Sequence, residues 1–321
     1  MIRYKQINGT VNVSQRGQRL DQTLAKTFPN YSRSRIKAWI LAGLVRVNGH
    51  ITTVPKKKML GGEFIEMQIS IKESCWEAQD IPLNIIYEDD DILIINKPCN
   101  LLVHPGAGHA DGTLLNALLH YFPPILDVPR AGIIHRLDKD TTGLMVLAKT
   151  VPAQIRLLAL MQARKIIREY EAIAIGKMTY GGTVEQPIAR HPTKRMRMAV
   201  NQMGKPAVTY YRIIEHFRAH THLRLRLETG RTHQIRVHMA HINHALVGDP
   251  LYGTRSRPTK NASESFNEVL CRFNRQALHA TLLQFYHPIT SIKMEWYAPL
   301  PQDMSLLITQ LKKDNELCQK N

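Results

Sequence analysis

Ala131-Gly-Ile-Ile-His-Arg-Leu-Asp-Lys-Asp-Thr-Thr-Gly-Leu-Met-Val-Leu-Ala148 is the stretch of sequence that decides the fold. Two isoleucines lead into a polar segment, and a second apolar run, Leu144 to Ala148, follows it. This order predicts a loop followed by a buried strand. Asp138 has basic neighbours on both sides, Arg136 and Lys139, so we expect its carboxylate to be ionised and hydrogen-bonded.

Composition places the chain among globular proteins. Its 321 residues are enough for two domains, and a hydrophobic content of 44% excludes wholesale disorder. No apolar run approaches the roughly 18 residues that cross a bilayer, and the N-terminus lacks the apolar core of a signal peptide. We therefore expect a cytoplasmic protein without a membrane segment. Four scattered cysteines without a Cys-x-x-Cys pair indicate reduced thiols rather than a disulfide framework or a zinc knuckle.

Positive charge is concentrated in the first part of the chain. The net charge is +17, and residues 1–72 hold +10 of it, from 13 Lys/Arg and 3 Asp/Glu. A basic surface is typical of proteins that bind nucleic acids, although solubility or an acidic membrane would also explain it. Concentration in one small segment favours a nucleic-acid-binding accessory domain.

The basic segment has the pattern of a small α/β unit. Apolar residues at helical spacing predict a first helix from Leu20, and Ser32 is a suitable N-cap for a second helix, Arg33 to Ala42. A short strand then enters an Asn-Gly turn at 48–49, and a closing strand ends at Ile71. The first 15 residues are expected to be a polar lead-in, with a frayed strand within residues 1–13 as the alternative.

Residues 16–72 resemble the S4 RNA-binding domain through their Arg-Leu-Asp, Ser-Arg-Ser-Arg and Leu-Val-x-Val-Asn-Gly motifs. The resemblance implies that the basic residues contact RNA phosphates, which positions an RNA without reading its sequence. The alternative is a solvated helix face. The candidate contacts are Arg33, Arg35, Lys37, Lys56, Lys57 and Lys58.

The remainder of the chain alternates between strand and helix patterns. Thr113 and Thr150 are candidate N-caps of two helices, and residues 208–217 and 222–228 predict an antiparallel pair of strands. Residues 254–267 are interpreted as a surface loop. We divide the chain into a lead-in (1–15), the S4-like domain (16–72), a linker (73–82), a second domain (83–313) that ends in a helix from 303, and a tail (314–321).

Two motifs of the second domain resemble one enzyme family. His-Arg-Leu-Asp-x-x-Thr-x-Gly at 135–143 and Leu-Glu-Thr-Gly-Arg-Thr-His-Gln-Ile-Arg at 227–236 resemble motifs of the RluA-type pseudouridine synthases, and the similarity extends over residues 83–300. It implies an α+β fold with a mixed, mostly antiparallel, bent central sheet flanked by helices and loops. It also implies an isomerase that converts uridine to pseudouridine in RNA.

The resemblance assigns roles to four residues. Asp138 matches the catalytic nucleophile, and Arg231 matches an arginine that pairs with it and would keep it ionised. Tyr170 matches the tyrosine that stacks on the target base, and Arg136 matches the arginine that fills the gap left by a flipped nucleotide. Strand packing for Tyr170 and a surface ion pair for Arg231 are the alternatives. Whether the aspartate attacks the base or the sugar stays open.

A further segment resembles the first motif of the same family. It contains Asn96-Lys97-Pro98 and His104, and it fits either a structural turn or direct contact with RNA.

The implied reaction conserves atoms, so we expect no cofactor and no metal. The sequence has no Gly-x-Gly-x-x-Gly, Walker or His-Glu-x-x-His motif. The similarity is greatest to a subgroup that modifies the helix 69 stem-loop of 23S rRNA. The implied partner is therefore 23S rRNA, in the large ribosomal subunit or its precursor, with a role in the maturation of that subunit. No obligate protein partner is evident.

Three other functions fit parts of the sequence. A zinc enzyme would use His233, His238, His241 and His244, although the first two are five residues apart and do not share a helical face. A non-catalytic RNA-binding assembly factor would need only the S4-like module. Glycoside hydrolysis normally needs a second carboxylate, for which Asp140 is the nearest candidate.

Overall fold

The computed structural model divides the chain into two units, Met1–Trp76 and Glu77–Asn321. It describes residues 2–29, 31, 33–72, 76–106, 108–194, 196–253 and 264–319. The boundary between the units falls within the predicted linker, residues 73–82. No helix in the described ranges combines the length and apolarity that a bilayer crossing requires.

The N-terminal unit is a four-stranded antiparallel sheet with two helices. Its elements are β1 (Ile2–Thr10), α1 (Leu20–Thr27), α2 (Arg33–Leu41), β2 (Val45–Val47), β3 (His50–Ile51) and β4 (Phe64–Lys72). The strand order is β1-β4-β2-β3. Leu24, Ile36 and Val45 belong to one buried core that joins helices and sheet. Both predicted helices are present, and the predicted N-cap Ser32 lies outside the described residues.

Of the two interpretations of the first residues, a polar lead-in or a frayed strand, the strand is correct for residues 2–10, because β1 is an edge strand of this sheet. β1 pairs with β4 over nine residues, from Ile2 opposite Lys72 to Thr10 opposite Phe64. The partner lies more than fifty residues further along the chain, and backbone hydrogen bonds form the pairing whatever the side chains. The polar sequence of β1 therefore carries no local signal of it.

The second unit is organised around a nine-stranded sheet. Its strands, with a separate β10–β11 pair, are β5 (Ile85–Glu88), β6 (Ile92–Lys97), β7 (Thr142–Ala148), β8 (Ile167–Ile175), β9 (Gly182–Glu185), β10 (Ile188–Arg190), β11 (Met198–Val200), β12 (Val208–His216), β13 (His220–Leu227), β14 (Leu278–Tyr286) and β15 (Lys293–Tyr297). The order is β5-β6-β7-β14-β8-β13-β12-β9, with β15 also on β14. Within the described strands β7–β14 is the one parallel pair, which confirms a mixed, mostly antiparallel sheet.

Five helices accompany this sheet: α3 (Leu114–Tyr121), α4 (Val151–Gln162), α5 (Gln234–His241), α6 (Glu264–Arg272) and α7 (Gln302–Gln319). The helices predicted after Thr113 and Thr150 are confirmed as α3 and α4. α6 overlaps the loop predicted at 254–267, of which 254–263 lie outside the described residues. α7 continues to residue 319, so the tail predicted from 314 is helical up to that point. Phe266 and Leu270 of α6 pack in one cluster with Leu307 and Leu311 of α7, which stabilises both helices.

The parallel pairing of β7 with β14 requires a glycine. Gly143 lies opposite Ala280, and its φ of +114° is one that L side chains rarely adopt. A Cβ at this position would collide with the backbone of Ala280. The glycine of the 135–143 motif therefore lets β14 come next to β7 while β8 lies on its other side, which places three strands of the candidate site side by side.

Candidate active site

Asp138 lies in a loop that is held rigidly in front of β7. The Thr141 amide donates to the Asp138 carbonyl at 3.1 Å, and Gln276 Nε2 donates to Thr141 Oγ1 at 2.9 Å. Lys97 Nζ donates to the Lys139 carbonyl at 2.9 Å. The Lys97 side chain is fully buried, and burial lowers its pKa to about 8. Lys97 therefore supports the loop, and of its two interpretations the structural turn is correct.

An arginine from α5 holds the carboxylate of Asp138. Arg236 Nη1 donates to Asp138 Oδ2 at 2.8 Å, and the same guanidinium binds Asp249 through two bonds of 2.7 and 2.9 Å. Arg236 and Asp249 are almost completely buried. Burial alone would raise the pKa of Asp249, but the Arg236 hydrogen bonds and charge outweigh it, and the pKa is lowered. Asp249 thus fixes the Arg236 guanidinium, and Arg236 in turn orients the Asp138 carboxylate.

Arg231 is not the residue that pairs with Asp138, and this part of the prediction is wrong. Its Nε donates to the carbonyl of Pro206 at 3.0 Å. Arg231 and Asp138 still line the same cavity. Arg231 precedes α5, whereas Arg236 lies within it, and the helix turns the second arginine toward the aspartate.

Gln234 determines where α5 begins. Its Oε1 accepts from the Arg231 amide at 2.9 Å and from Thr229 Oγ1 at 2.8 Å, and its Nε2 donates to the Val208 carbonyl at 3.0 Å. The preceding residue, His233, has a φ of 56°. Gln234 thereby links the turn after β13 to the start of β12. Because this fixes the start of α5, Arg236 and not Arg231 faces Asp138.

His233 and Tyr252 lie next to the pair. The sequence had suggested His233 only as a zinc ligand, and Tyr252 was not chosen. His233 Nε2 lies 3.9 Å from Asp138 Oδ1, and Nδ1 lies 2.8 Å from the Tyr252 hydroxyl. The Arg236 guanidinium lies 5.1 Å from the centre of the Tyr252 ring, a cation–π distance. The only sequence signal was that Tyr252 and Asp249 share the turn cluster Gly-Asp-Pro-Leu-Tyr-Gly at 248–253.

Tyr170 lies on β8, opposite Ala280 of β14 and Leu225 of β13. Its ring is 4% exposed and forms part of a cavity wall. Burial raises the pKa of its hydroxyl above the ordinary value, so the phenol is protonated at neutral pH.

One cavity of about 550 Å³ brings the four residues chosen from the sequence together. Arg136, Asp138, Tyr170 and Arg231 all line it, and so does Arg168, which was not chosen. The side chain of Asp138 is 17% exposed, and Arg136 is exposed. The volume lies within the roughly 300–1,000 Å³ typical of pockets for small ligands.

The histidines near α5 have separate partners. His238 binds Thr209 Oγ1 and the Gln186 carbonyl, and His244 binds the Ile175 carbonyl. In the described part of the chain, no three His, Cys, Asp or Glu side chains are grouped so that they could hold a metal ion.

The basic residues of the N-terminal unit are in different environments. Lys37, Lys56, Lys57 and Lys58 are exposed. Arg33 donates to Asp21 at 2.9 Å, so part of its hydrogen-bonding capacity is used within the unit. The side chain of Arg35 is outside the described residues.

Known proteins resemble both units. The family model for RNA pseudouridylate synthase matches residues 91–241, and the S4 domain model matches residues 18–65. Ribosomal large subunit pseudouridine synthase D of Escherichia coli K12 is 67% identical over 317 residues, which cover 98% of this chain and 97% of the relative. The chain belongs to the RNA pseudouridylate synthase family. Pseudouridine synthases are isomerases, and the two resemblances seen in the sequence are confirmed.

Further members of the family agree with this assignment. The Haemophilus influenzae protein of the same name is 64% identical over 309 residues, 96% of this chain and 95% of the relative. A solved structure of human RNA pseudouridylate synthase domain containing 4 is 26% identical, with a TM-score of 0.55, and covers 71% of this chain and 93% of that one.

Proposed function

We propose that this pseudouridine synthase isomerises specific uridines of 23S rRNA, in the helix 69 stem-loop, with Asp138 as the nucleophile. The observation that carries the proposal is that the Asp138 carboxylate, held by Arg236 at 2.8 Å, lines the same cavity as Tyr170. A reacting carboxylate next to an aromatic ring suits a base that has left its stack. The reaction would take place in the cytoplasm and contribute to maturation of the large ribosomal subunit.

The choice of RNA follows from the relatives. The bacterial proteins that are 64–67% identical over nearly the whole chain are named as synthases of the large ribosomal subunit. The S4 domain supports an RNA substrate larger than the flipped nucleotide. In this proposal Arg33, Arg35, Lys37 and the lysines at 56–58 contact phosphates outside the cavity.

Asp138 and Arg236 have distinct roles in the proposed reaction. The C1′–N1 bond of the uridine breaks, the base turns and C5 bonds to C1′. C5 then loses its proton and N1 takes one up, so the product has the same atoms as the substrate. Asp138 Oδ2 is bound to Arg236, whereas Oδ1 lies 3.9 Å from His233 Nε2, beyond hydrogen-bond distance, and is the oxygen available for attack. Arg236 positions this carboxylate.

In this proposal Tyr170 contacts the flipped nucleotide, and Arg136 contacts the RNA helix that the nucleotide has left. The Tyr170 ring provides a stacking platform, worth roughly 1–3 kcal/mol per base. Because burial raises the pKa of its hydroxyl, that group acts as a neutral hydrogen-bonding partner near C5 rather than as a preformed phenolate base. Arg136, exposed at the rim, fills the space that the flipped nucleotide leaves.

The test is Asp138→Asn, a substitution that keeps the size of the side chain and an oxygen that accepts from Arg236. We expect pseudouridine formation, mapped by carbodiimide labelling and primer extension on large-subunit rRNA, to fall below about one-thousandth of wild type. RNA binding measured at one fixed salt concentration should persist.

The same experiment separates the enzyme from an RNA-binding assembly factor. A wild-type protein that binds rRNA but leaves every uridine unchanged would support the assembly factor. A variant that modifies uridine as fast as wild type would exclude Asp138 as the nucleophile.

A further inference from the structure

Arg168 is a buried arginine of the cavity wall to which no role has been given. It lies on β8 two residues before Tyr170, so both side chains project from the same face of the strand. Arg168 lines the cavity that contains Asp138, and only 8% of the residue is exposed.

Among the residues that the structure describes, Arg168 has neither a hydrogen-bond acceptor nor a counter-ion, and its Nε is buried without a partner. Three other arginines of the same wall are engaged: Arg130 with His104, Arg164 with Glu228, and Arg231 with the Pro206 carbonyl. A guanidinium taken out of water without a partner is strongly unfavourable. An unpaired, buried cation that borders a cavity is therefore expected to find its partner in a ligand.

Gly230 lies close to this guanidinium. A Cβ at position 230 would lie 2.9 Å from Arg168 Nη1, so the end of the arginine side chain would have to move. The glycine of the Gly-Arg-Thr-His motif thus lets the turn after β13 approach the arginine closely. The guanidinium therefore lies between two separate segments, its own strand β8 and the turn after β13.

We propose that Arg168 binds a backbone phosphate that adjoins the flipped uridine. A phosphodiester carries the negative charge that this site lacks, and its oxygens match the two-pronged geometry of a guanidinium. The uracil carbonyls are neutral and would compensate the charge less. This inference rests on the proposed function, because the phosphate belongs to the RNA whose base enters the cavity next to Asp138 and Tyr170.

The experiment compares Arg168→Met and Arg168→Lys with wild type on a synthetic stem-loop that contains the mapped target uridine. Since Arg168→Met removes an uncompensated charge, we expect its melting temperature to equal or exceed that of wild type. Its kcat/KM should fall about 10- to 100-fold, the effect of one lost charged hydrogen-bonding contact. Arg168→Lys should be intermediate, because it keeps the charge and loses the fork.

Neutral methylphosphonates, placed one at a time on the 5′ and 3′ sides of the target, identify the ligand. One of them should lower kcat/KM of the wild type by the same factor as Arg168→Met does, and should not lower kcat/KM of Arg168→Met further.

Arg164→Met is the matched control, because Arg164 borders the same cavity but already forms an ion pair with Glu228. The effect of Arg164→Met on kcat/KM should add to the effect of the methylphosphonate.

Three results would overturn the inference. The first is a large loss of melting temperature in Arg168→Met. The second is that the effects of Arg168→Met and of each methylphosphonate add. The third is that Arg168→Met becomes non-additive with a substrate in which sulfur replaces a uracil carbonyl oxygen, because the arginine would then bind the base and not a phosphate. Failure of the proposed function is a different result, because wild type would then form no pseudouridine in any stem-loop.

Discussion

The tripeptide Arg-Leu-Asp occurs in both units of the molecule, and its two copies behave differently. In the N-terminal unit, Arg19 turns back on Asp21 through bonds of 3.0 and 3.1 Å, and Arg33 adds a third of 2.9 Å. The Asp21 side chain is 2% exposed. All of its bonding capacity is directed to its own domain.

In the second copy, Arg136-Leu137-Asp138, the arginine of the tripeptide does not bind its aspartate. Arg136 is exposed, and the cation that holds Asp138 is Arg236, 98 residues after Asp138 in the chain. One oxygen of Asp138 is used in this pair, and the other lies 3.9 Å from His233. The side chain is 17% exposed and borders a cavity.

The difference separates a structural carboxylate from a reactive one. A carboxylate whose oxygens are all bound and buried stabilises a fold, whereas one that is held by a single oxygen is oriented and still free to react. The same three residues serve both purposes, because the partner is chosen by strand order and helix position and not by the tripeptide itself.

The comparison is tested most strongly by exchanging the arginine that distinguishes the two sites. Arg236→Lys cannot span Asp138 and the doubly bonded Asp249, so a buried carboxylate loses a partner and Asp138 loses its orientation. We expect kcat to fall by about 100-fold or more, with a smaller change in KM. Steady-state kinetics on the target stem-loop measures both.

Arg231→Lys is the matched control, five residues away on the same motif. Its side chain bonds to the Pro206 carbonyl, an acceptor that a lysine can also reach, so we expect a loss of only a few-fold. If Arg231→Lys were the more damaging of the two, Arg231 would be the functional partner of Asp138, as the sequence resemblance implied.

Local pattern was sufficient for much of the fold. The buried strand after Asp138, the helix capped by Thr150, and the antiparallel pair β12–β13 with its alternating leucines were all predicted, because each depends on residues a few positions apart. Tyr170 and Asp138 were also chosen correctly as residues of one cavity.

The remainder depended on contacts between distant segments. β1 is a strand because β4 pairs with it, and the bonds of Gln234 decide that Arg236 rather than Arg231 faces Asp138. Arg168 stood in the sequence next to other charged residues, and nothing local distinguishes a buried, unpaired arginine from an exposed one. Its distinction appears only when β8 and the turn at Gly230 are brought together.

Substitution of Asp21, the structural carboxylate, should lower stability and leave activity unchanged, whereas substitution of Asp138 should do the reverse. Asp21→Asn leaves two arginines without their charged acceptor, so we expect the N-terminal unit to lose about 1–3 kcal/mol of unfolding free energy. The kcat of pseudouridine formation should not change. Urea unfolding and hydrogen exchange of residues 20–27 measure the first effect, and single-turnover kinetics the second.

Asp138→Asn is the counterpart in this test. It should leave the unfolding free energy within about 0.5 kcal/mol of wild type while activity is lost. A stability loss equal to that of Asp21→Asn would show that both carboxylates are structural, and the distinction between the two sites would fail.

The smallest expected effect is a difference in acid sensitivity between the units. In the second unit, burial lowers the pKa of His135 to about 3 and the pKa values of His220 and His279 to about 4. Unfolded histidines take up protons near pH 6.5, and these folded ones do not. Lowering the pH from 6.5 to 4.5 therefore favours the unfolded state, by up to about 1.4 kcal/mol per pH unit for each histidine.

The N-terminal unit has no buried histidine of this kind. Its one histidine, His50, is exposed. Burial raises the pKa of Asp21, but the hydrogen bonds from Arg33 and Arg19 outweigh it, and the pKa is lowered. Burial likewise raises the pKa of Glu63, but hydrogen bonds from the backbone outweigh it, and this pKa is also lowered. The stability that Asp21 and Glu63 contribute is therefore nearly complete above about pH 5 and is lost as the pH falls through the unfolded pKa values of about 4.

Two single-tryptophan versions of the full chain separate the units, one keeping Trp39 and the other keeping Trp296. Both tryptophans are more than nine-tenths buried, so each reports unfolding of its own unit. Between pH 6.5 and 4.5 the urea midpoint seen by Trp296 should fall, and the midpoint seen by Trp39 should fall much less. Equal shifts at both tryptophans would mean that the buried histidines are not the source, because they lie in one unit only.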